Sequence, residues 1–163
     1  MKVHSKNLPA NVVTFLALIQ HTEGTDRYAN PYTTRYGGSQ AAPNAPHDGV
    51  KITAGGITST ALGAYQFLYR TWLALHNGQN PAMTPENQDR AAVALIRQAG
   101  AFQDVLQGRW QTAIRKTNRI WASLPGSPYG QPTVSMDKAL AFIKKNAAAG
   151  GAAVLAFLLT VFF

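Results

Sequence analysis

The sequence predicts an α+β fold, with a helical lobe, a small β lobe and a cleft between them. Most of the chain repeats apolar residues at three- and four-residue spacing, which is typical of amphipathic helices. Residues 24–57 interrupt this period with prolines and glycines, and β-forming residues stand between the breaks. Tyr28, Tyr32 and Tyr36 are too many aromatic residues for a disordered spacer. We therefore expect this stretch to form two or three short strands.

The first helix is predicted over residues 9–22, because Pro9 fits the first position of a helix. Its apolar residues recur on one face, as expected for a helix that packs against a core. That face consists of Val12, Phe15, Leu16 and Ile19. In the β lobe, residues 50–53 alternate between apolar and polar like a half-buried strand.

The helices after the β lobe are predicted from capping residues and glycine or proline breaks. Thr84-Pro85-Glu86 combines a cap, a proline at the first position and an acid in the first turn, which gives Glu86 a structural explanation. The predicted helices run from Ser59 or Thr60 to His76, from Thr84 to Ala99, and over residues 101–107, 109–122 and 135–146.

Glu23 is the candidate catalytic residue. Continuing the buried face of the first helix by four residues from Ile19 leads to Glu23, and Gly24 then ends the helix. Burial and the negative end of the helix dipole both disfavour a carboxylate there, so we expect a raised pKa, as a general acid requires. The ordinary alternative is a surface glutamate in a last helical turn, but its charge would oppose the dipole.

Composition indicates one globular domain and a polyanionic partner. The 163 residues carry a net charge of +8, which suits nucleic acid, an anionic membrane or a bacterial envelope with its carboxylated peptides. No nucleic-acid-binding motif accompanies the charge, so we expect no nucleic acid partner. The chain has no cysteine, and its four histidines lack metal-ligand spacing, so we expect neither a metal nor another cofactor. The apolar run over residues 12–19 is too short for a secretory signal.

Three motifs carry a family resemblance. They are Glu23-Gly24-Thr25-Asp26, Gly63-Ala64-Tyr65-Gln66 and the long stretch from Ile120 to Gln131 (IWASLPGSPYGQ). In this order and at these separations they resemble the lambda-type phage lysozymes, the endolysins that act as murein transglycosylases. The resemblance covers residues 12–149, and it implies a lysozyme-like fold and a cleft for the glycan strands of peptidoglycan.

The candidate substrate-binding residues offer groups that recognise sugars. Sugar rings stack on aromatic side chains, and amides and hydroxyls hydrogen-bond their polar substituents. On these grounds the predicted contacts are Tyr36, Tyr65, Gln66, Ser123, Tyr129 and Gln131. The resemblance adds His47, which matches a glycan-contacting position of the family. For Tyr65 and Trp121 the alternative is packing in the core.

The number of carboxylates separates two mechanisms. A hydrolytic muramidase generally needs two, and Asp26 or Asp48 could supply the second, although nothing in the sequence fixes either in the cleft. The resemblance implies a route with Glu23 alone, in which the 6-hydroxyl of muramic acid attacks its own C1 and leaves a 1,6-anhydro product. We favour this lytic transglycosylation over hydrolysis. A basic, membrane-disrupting protein that binds the wall without catalysis is the alternative from another class.

The C-terminus departs from the family. Residues 147–163 carry no charge, and we separate a lysozyme-like domain, residues 1–149, from a hydrophobic tail, residues 150–163. The tail could contact a membrane through residues 152–163, disturb an outer membrane as an appended peptide, or pack against the core or another copy; membrane interaction is slightly favoured. We expect a monomer that waits in the host cytoplasm and reaches the wall through a holin-type partner or its own tail.

Overall fold

The computed structural model describes residues 3–4 and 7–147, and in this part of the chain it consists of helices and one small sheet. The helices are α1 (Ala10–Thr22), α2 (Tyr69–Leu75), α3 (Pro85–Gln98), α4 (Phe102–Leu106), α5 (Trp110–Thr117) and α6 (residues 136–147). The strands are β1 (Ile52–Ala54) and β2 (Ile57–Ser59). Short 3₁₀ turns lie at Thr25–Arg27, Pro31–Thr33 and Tyr36–Gly38. The predicted α+β class is confirmed.

The β lobe is an antiparallel hairpin surrounded by irregular chain. β1 pairs with β2 in a register that places Ile52 opposite Ser59 and Ala54 opposite Ile57. Gly55 and Gly56 form the two-residue turn with φ values of 56° and 78°. Positive φ at both central residues is the geometry of a type I′ hairpin, which glycine adopts without strain. The predicted strand at 50–53 therefore exists, but it is displaced toward the turn.

Helix α1 lies at the centre of the helical lobe. Five of its apolar side chains are fully buried, and those of Trp72, Ile96 and Ile114 bring α2, α3 and α5 into the same core. The buried residues of α1 are Val12, Phe15, Leu16, Leu18 and Ile19. Each such side chain stabilises the fold by about 1.5–3 kcal/mol relative to an exposed position. The burial fixes the C-terminal end of α1, where Glu23 follows.

The irregular segment 61–68 differs from the predicted helix, which was expected to begin at Ser59 or Thr60. Leu62 and Phe67 exchange both backbone hydrogen bonds, at 3.0 and 2.9 Å, and close a tight loop between them. Within this loop Gly63 and Gln66 have φ values of 85° and 50°, which no right-handed helix allows. Contacts distant in sequence hold the loop, since the Gln88 side chain accepts from the N–H of Ala64. The helix α2 begins only at Tyr69.

The other predicted boundaries vary in accuracy. The expected cap is confirmed, because the Thr84 hydroxyl accepts from the N–H of Asn87 at 3.2 Å. The expected helix over 109–122 is wrong at its end, because α5 stops at Thr117. The Asn118 side chain donates to the carbonyl of Pro125 instead, and so holds the following loop against the helix end.

The predicted tail, residues 150–163, lies outside the described residues, and so does the membrane contact expected for residues 152–163. Of the described helices, none combines the length and the apolar character that a membrane crossing needs.

Replacing Gly63 by alanine tests the packing of the 61–68 loop. A Cβ at this position would lie 2.1 Å from Oε1 of Gln88, whose amide also donates to the carbonyls of Tyr32 and Met83. We expect Gly63→Ala to lower the free energy of unfolding in urea by about 1–2 kcal/mol for the left-handed backbone and by about 1–3 kcal/mol more for the disturbed buried hydrogen bonds.

Gly78→Ala is the matched control. Gly78 has a φ of 82°, close to the 85° of Gly63, but a Cβ there would meet nothing within 4 Å. Gly78→Ala should therefore lower the free energy of unfolding only by the backbone cost of about 1–2 kcal/mol. Equal losses in the two variants would contradict the role assigned to Gln88.

Candidate active site

Glu23 follows α1 directly, at the point where the helix ends. Its N–H still donates to the carbonyl of Ile19 at 2.9 Å, and Gly24 then turns the chain away with a φ of 71°. The carboxyl group is partly buried, and this desolvation raises its pKa above the usual value for a glutamate. Hydrogen bonds from Ser123 act in the opposite direction but do not cancel the effect. The raised pKa expected for Glu23 from the sequence therefore agrees with its partly buried position.

Two hydroxyl groups support the Glu23 carboxyl. Ser123 Oγ lies 2.6 Å from Oε1 of Glu23 and 3.0 Å from Oγ1 of Thr22. Thr22 in turn donates to the carbonyl of Ile19 at 3.2 Å. When Glu23 is ionised, the single Ser123 hydroxyl proton serves the carboxylate; when Glu23 is protonated, that proton can turn to Thr22. The hydroxyl pair therefore accommodates both protonation states, as a group that gives and then takes a proton requires.

The groove past Glu23 consists of three cavities that share lining residues. The first, on the side of the 3₁₀ turn Thr25–Arg27, has a volume of about 190 Å³, and the second, reaching the loop after α5, has about 230 Å³. Glu23, Tyr36 and Gln66 line both cavities, so the carboxyl lies where the two meet. A third cavity of about 280 Å³ shares lining residues with the second, among them Gln66 and Trp121, and is also lined by Tyr65 and Arg119. The arrangement suits an extended ligand that passes the carboxyl.

Four of the predicted contact residues line the two cavities at Glu23. Tyr36 borders both cavities beside Glu23 and donates its hydroxyl proton to the carbonyl of Ala54 at 3.2 Å. Gln66 is oriented by its side-chain nitrogen, which donates to the carbonyls of Thr34 and Gly63, each at 3.0 Å. Ser123 and Gln131 line the second cavity. The structure thus brings these side chains together around the candidate acid.

Tyr65 is buried in the core, although it is one of the residues that line the third cavity. Its side chain is fully buried, and its hydroxyl donates to Asp89 at 2.5 Å. Trp121 packs beside it and donates its indole N–H to the main-chain carbonyl of Tyr65 at 3.1 Å. Burial, with nearby Tyr32 and Asp89, raises the pKa of Tyr65 well above its usual value. The geometry therefore favours the core alternative for Tyr65 over a glycan contact.

His47 and Tyr129 also lie away from the cavities around Glu23. The His47 ring is 2% exposed, with Nε2 2.8 Å from the carbonyl of Phe67 and Nδ1 accepting from the N–H of Gly49. Both ring nitrogens are occupied within the protein, and burial lowers the pKa of this histidine. Tyr129 is 56% exposed and donates its hydroxyl proton to the carbonyl of Arg119. Its burial disfavours a glycan contact by His47, whereas the contact of the exposed Tyr129 stays a prediction.

The two aspartates considered as a second carboxylate have other partners. Asp26 pairs with His21 at 2.7 Å on the surface. Asp48 pairs with Arg35 at 2.7 Å. Desolvation opposes ionisation of Asp48, but hydrogen bonds from Val50 and Arg35 outweigh it and lower its pKa. Among the described residues that line the two cavities at Glu23, no other carboxylate is present.

Sequence reasoning did not identify several residues of the site. Thr22, Arg27, Tyr28 and Arg35 contribute to the surroundings of Glu23, although no periodic pattern or motif set them apart. For Thr22 a weak signal existed, since a hydroxyl residue directly precedes the candidate acid. Within residues 3–4 and 7–147, no group of histidines and acidic residues could hold a metal ion.

Comparison with known proteins identifies the family that this chain resembles. The Endolysin family matches residues 13–152. The endolysin of Escherichia phage P2 is 46% identical over 89 residues, and this alignment covers 51% of each chain, so it spans about half the length of that relative. The endolysin of Escherichia phage lambda is 32% identical over 144 residues, covering 84% of this chain and 89% of the relative. A probable transglycosylase of Staphylococcus haemolyticus is 44% identical over 70 residues, 40% of this chain and 27% of that protein.

The fold agrees with the sequence comparison. The structure of bacteriophage lambda lysozyme in complex with a chitohexasaccharide superposes with a TM-score of 0.78 at 29% identity, covering 87% of this chain and 97% of the lysozyme. The lysozyme-like fold predicted from the motifs is confirmed. The chain belongs to the endolysin family, as a lambda-type phage endolysin that degrades the peptidoglycan of the bacterial cell wall.

Proposed function

We propose that this endolysin cleaves the bond between N-acetylmuramic acid and N-acetylglucosamine by lytic transglycosylation, with Glu23 as its catalytic acid and base. The supporting observation is the carboxylate count at the groove. Glu23 is the acid that lines both central cavities, whereas Asp26 and Asp48 are paired with His21 and Arg35. A hydrolytic route generally uses two carboxylates at the scissile bond. A route that needs one fits the residues that this groove offers.

Glu23 first acts as an acid. Its desolvated carboxyl keeps the proton to a higher pH than an exposed glutamate and delivers it to the oxygen that leaves with N-acetylglucosamine. The resulting carboxylate then takes the proton of the muramic 6-hydroxyl while that oxygen bonds to C1. The nucleophile belongs to the same sugar, so its effective concentration is high and no second carboxylate has to activate water.

The Ser123 hydroxyl supports both steps. It donates to the ionised carboxyl during the second step, and its contact with Thr22 gives its proton another acceptor during the first. This bond also fixes the orientation of the Glu23 side chain between the two cavities. Ser123 therefore acts as a positioning residue, in addition to its predicted role in the glycan cleft.

Tyr36, Gln66 and Gln131 are the proposed glycan contacts. They line the cavities next to Glu23 and offer an aromatic face and two amides, which are groups that bind sugars. The lambda lysozyme of similar fold was solved with a chitohexasaccharide, and this supports a glycan strand as the ligand of the groove. The name of the staphylococcal relative, a probable transglycosylase, supports the reaction type. The holin-type release partner, the cytoplasmic stage, the monomeric state and the membrane contact stay predictions from the sequence.

The products of purified sacculi test the reaction type. Transglycosylation consumes no water, so we expect muropeptides that end in 1,6-anhydro-muramic acid and are one water lighter than the reducing-end forms. Mass spectrometry of the digest, with a hydrolytic lysozyme as the reference, distinguishes the two. Reducing-end products alone would mean that the enzyme is a hydrolase.

Replacing Glu23 by glutamine tests its role in catalysis. Glu23→Gln keeps the size of the side chain and removes the proton that it transfers, so we expect lysis of sacculi to slow by a factor of about 10²–10⁴. Turbidity loss measures the rate. Glu86→Gln is the control, because the other glutamate is exposed in the first turn of α3 and should be dispensable. Lysis at the normal rate by Glu23→Gln would favour the non-catalytic alternative.

Replacing Ser123 by alanine tests the support of the acid. The Ser123 hydroxyl lowers the pKa of Glu23, so its removal should raise that pKa and move the alkaline limb of kcat/KM to higher pH. Ser127→Ala is the control, since the Ser127 hydroxyl is buried in the same loop without a hydrogen-bond partner among the described residues. A profile of Ser123→Ala that coincides with the wild type would exclude the assigned role.

A further inference from the structure

The two cavities that meet at Glu23 differ in charge. Arg27 and Arg35 line the cavity beside the 3₁₀ turn Thr25–Arg27. The second cavity has residues such as Ile57, Ser123 and Pro132 in its lining. None of its lining residues is a Lys or an Arg. A substrate that lies across Glu23 therefore meets positive charge directly beside Glu23 on the side of the turn, whereas on the other side the nearest lining arginine is Arg119, in the third cavity.

Arg35 is already neutralised by the protein. Its guanidinium donates through Nε at 2.8 Å and contacts through Nη2 at 2.7 Å the same oxygen of Asp48, and it also donates to the carbonyl of Gln40. The lowered pKa of Asp48 keeps this partner ionised at neutral pH. Arg35 therefore stiffens the wall of the cavity, and its charge is not available to a ligand without breaking the pair.

Arg27 differs from Arg35, because it forms no ion pair with any of the described residues. The neighbouring Asp26 is paired with His21. The Arg27 guanidinium folds back toward the active site, since a Cβ on Gly24 would lie 2.2 Å from its Nη2 and 2.9 Å from its Cζ. The Arg27 side chain is exposed, and it lines this cavity next to Gly24, the residue directly after Glu23. An available guanidinium thus lines the same cavity as the Glu23 carboxyl.

We propose that Arg27 binds a carboxylate of the peptide stem carried by muramic acid, and thereby makes peptide-bearing strands the preferred substrate. This inference rests on the proposed function, because it assumes that the glycan strand lies across Glu23. The sugar backbone with its N-acetyl groups is uncharged, and the anionic groups of a peptide-bearing strand are the carboxylates of its stems. A guanidinium pairs with a carboxylate through two parallel hydrogen bonds, which gives direction as well as attraction.

The position of Arg27 also orients the strand. A stem that reaches Arg27 leaves the groove over the turn Thr25–Arg27, which places its muramic acid on that side of Glu23. The second cavity, with Ile57, Leu68 and Ile120 among its lining residues, is left for uncharged sugar. A reversed strand would carry the carboxylate into the second cavity, whose lining includes no Lys or Arg.

The test compares two substrates that differ only in stem charge. One is a tetrasaccharide of alternating N-acetylglucosamine and N-acetylmuramic acid with L-Ala-D-Glu stems, and the other has every stem carboxylate converted to its amide. We expect the wild type to have the higher kcat/KM on the acidic substrate. Arg27→Gln should reduce the ratio of the two kcat/KM values by about three- to tenfold, the range expected for a partly exposed charge-assisted pair. Added salt should lower the wild-type ratio, because it screens the pair.

Arg90→Gln is the matched control. Arg90 is an exposed arginine of α3 that lines none of the cavities described above, so its removal changes the net charge by the same amount. It should keep the wild-type ratio, and Arg27→Lys should retain part of the preference because it keeps the charge. If Arg90→Gln lowers the ratio as much as Arg27→Gln, overall charge and not Arg27 is responsible.

Two results would overturn the inference: a wild-type ratio of about one, or an unchanged ratio in Arg27→Gln. If that ratio is unchanged because both kcat/KM values fall equally, Arg27 contacts the sugar and not the stem. Neither result coincides with failure of the proposed function, which appears as reducing-end products or as activity of Glu23→Gln on either substrate.

Discussion

The hydrogen bond between Ser123 and Glu23 is the contact on which the site depends. At 2.6 Å it joins residues that are 100 positions apart, and so connects the end of α1 with the loop that follows α5. Each side is fixed independently, because α1 is buried in the core and the indole of Trp121 donates to the main chain of Tyr65. Thr25 adds the third element, since its hydroxyl donates to the carbonyl of Ala64 at 2.7 Å. The carboxyl is therefore held by the tertiary fold, not by its own helix turn alone.

Holding a carboxyl in this way costs stability. The folded pKa of Glu23 lies above its unfolded value, so its protonated form is the one that the folded state favours. Its stabilising contribution is complete below the unfolded pKa near 4.5 and is lost as the pH rises through the folded pKa. At the pH of wall cleavage the enzyme thus carries a carboxyl that would be more stable in solvent. In the proposed reaction, the same desolvation that costs stability keeps a proton available for the leaving oxygen.

Local signals in the sequence were sufficient for some parts of the fold and the site. The apolar face of α1 led to Glu23, and Thr84 was recognisable as a cap from the residues that follow it. Contacts between distant residues decided the rest. The apolar pattern before Tyr69 resembled a helix, but the bond from Ala64 to Gln88 and the positive φ of Gln66 impose a closed loop there.

The same distinction applies to the ligand contacts. A tyrosine can stack on a sugar or pack in a core, and the sequence motif does not separate the two. Tyr65 is in the core because Asp89, from α3, accepts its hydroxyl proton; Tyr36 lines the groove because the hairpin places it there. Arg27 belongs to no motif, and only the tertiary structure places its guanidinium against Gly24.

The pairing of Asp48 with Arg35 connects the structure of the β lobe with the choice of mechanism. A carboxylate that receives bonds from Arg35 and from the N–H of Val50 is stabilised in its charged form, so it is a weak base toward water or a sugar hydroxyl. Arg35 is held by the same pair, and desolvation keeps the pKa of Glu23 raised. In the proposed mechanism Glu23 alone therefore both gives and takes the proton. That division works when the substrate supplies its own nucleophile, as the muramic 6-hydroxyl does.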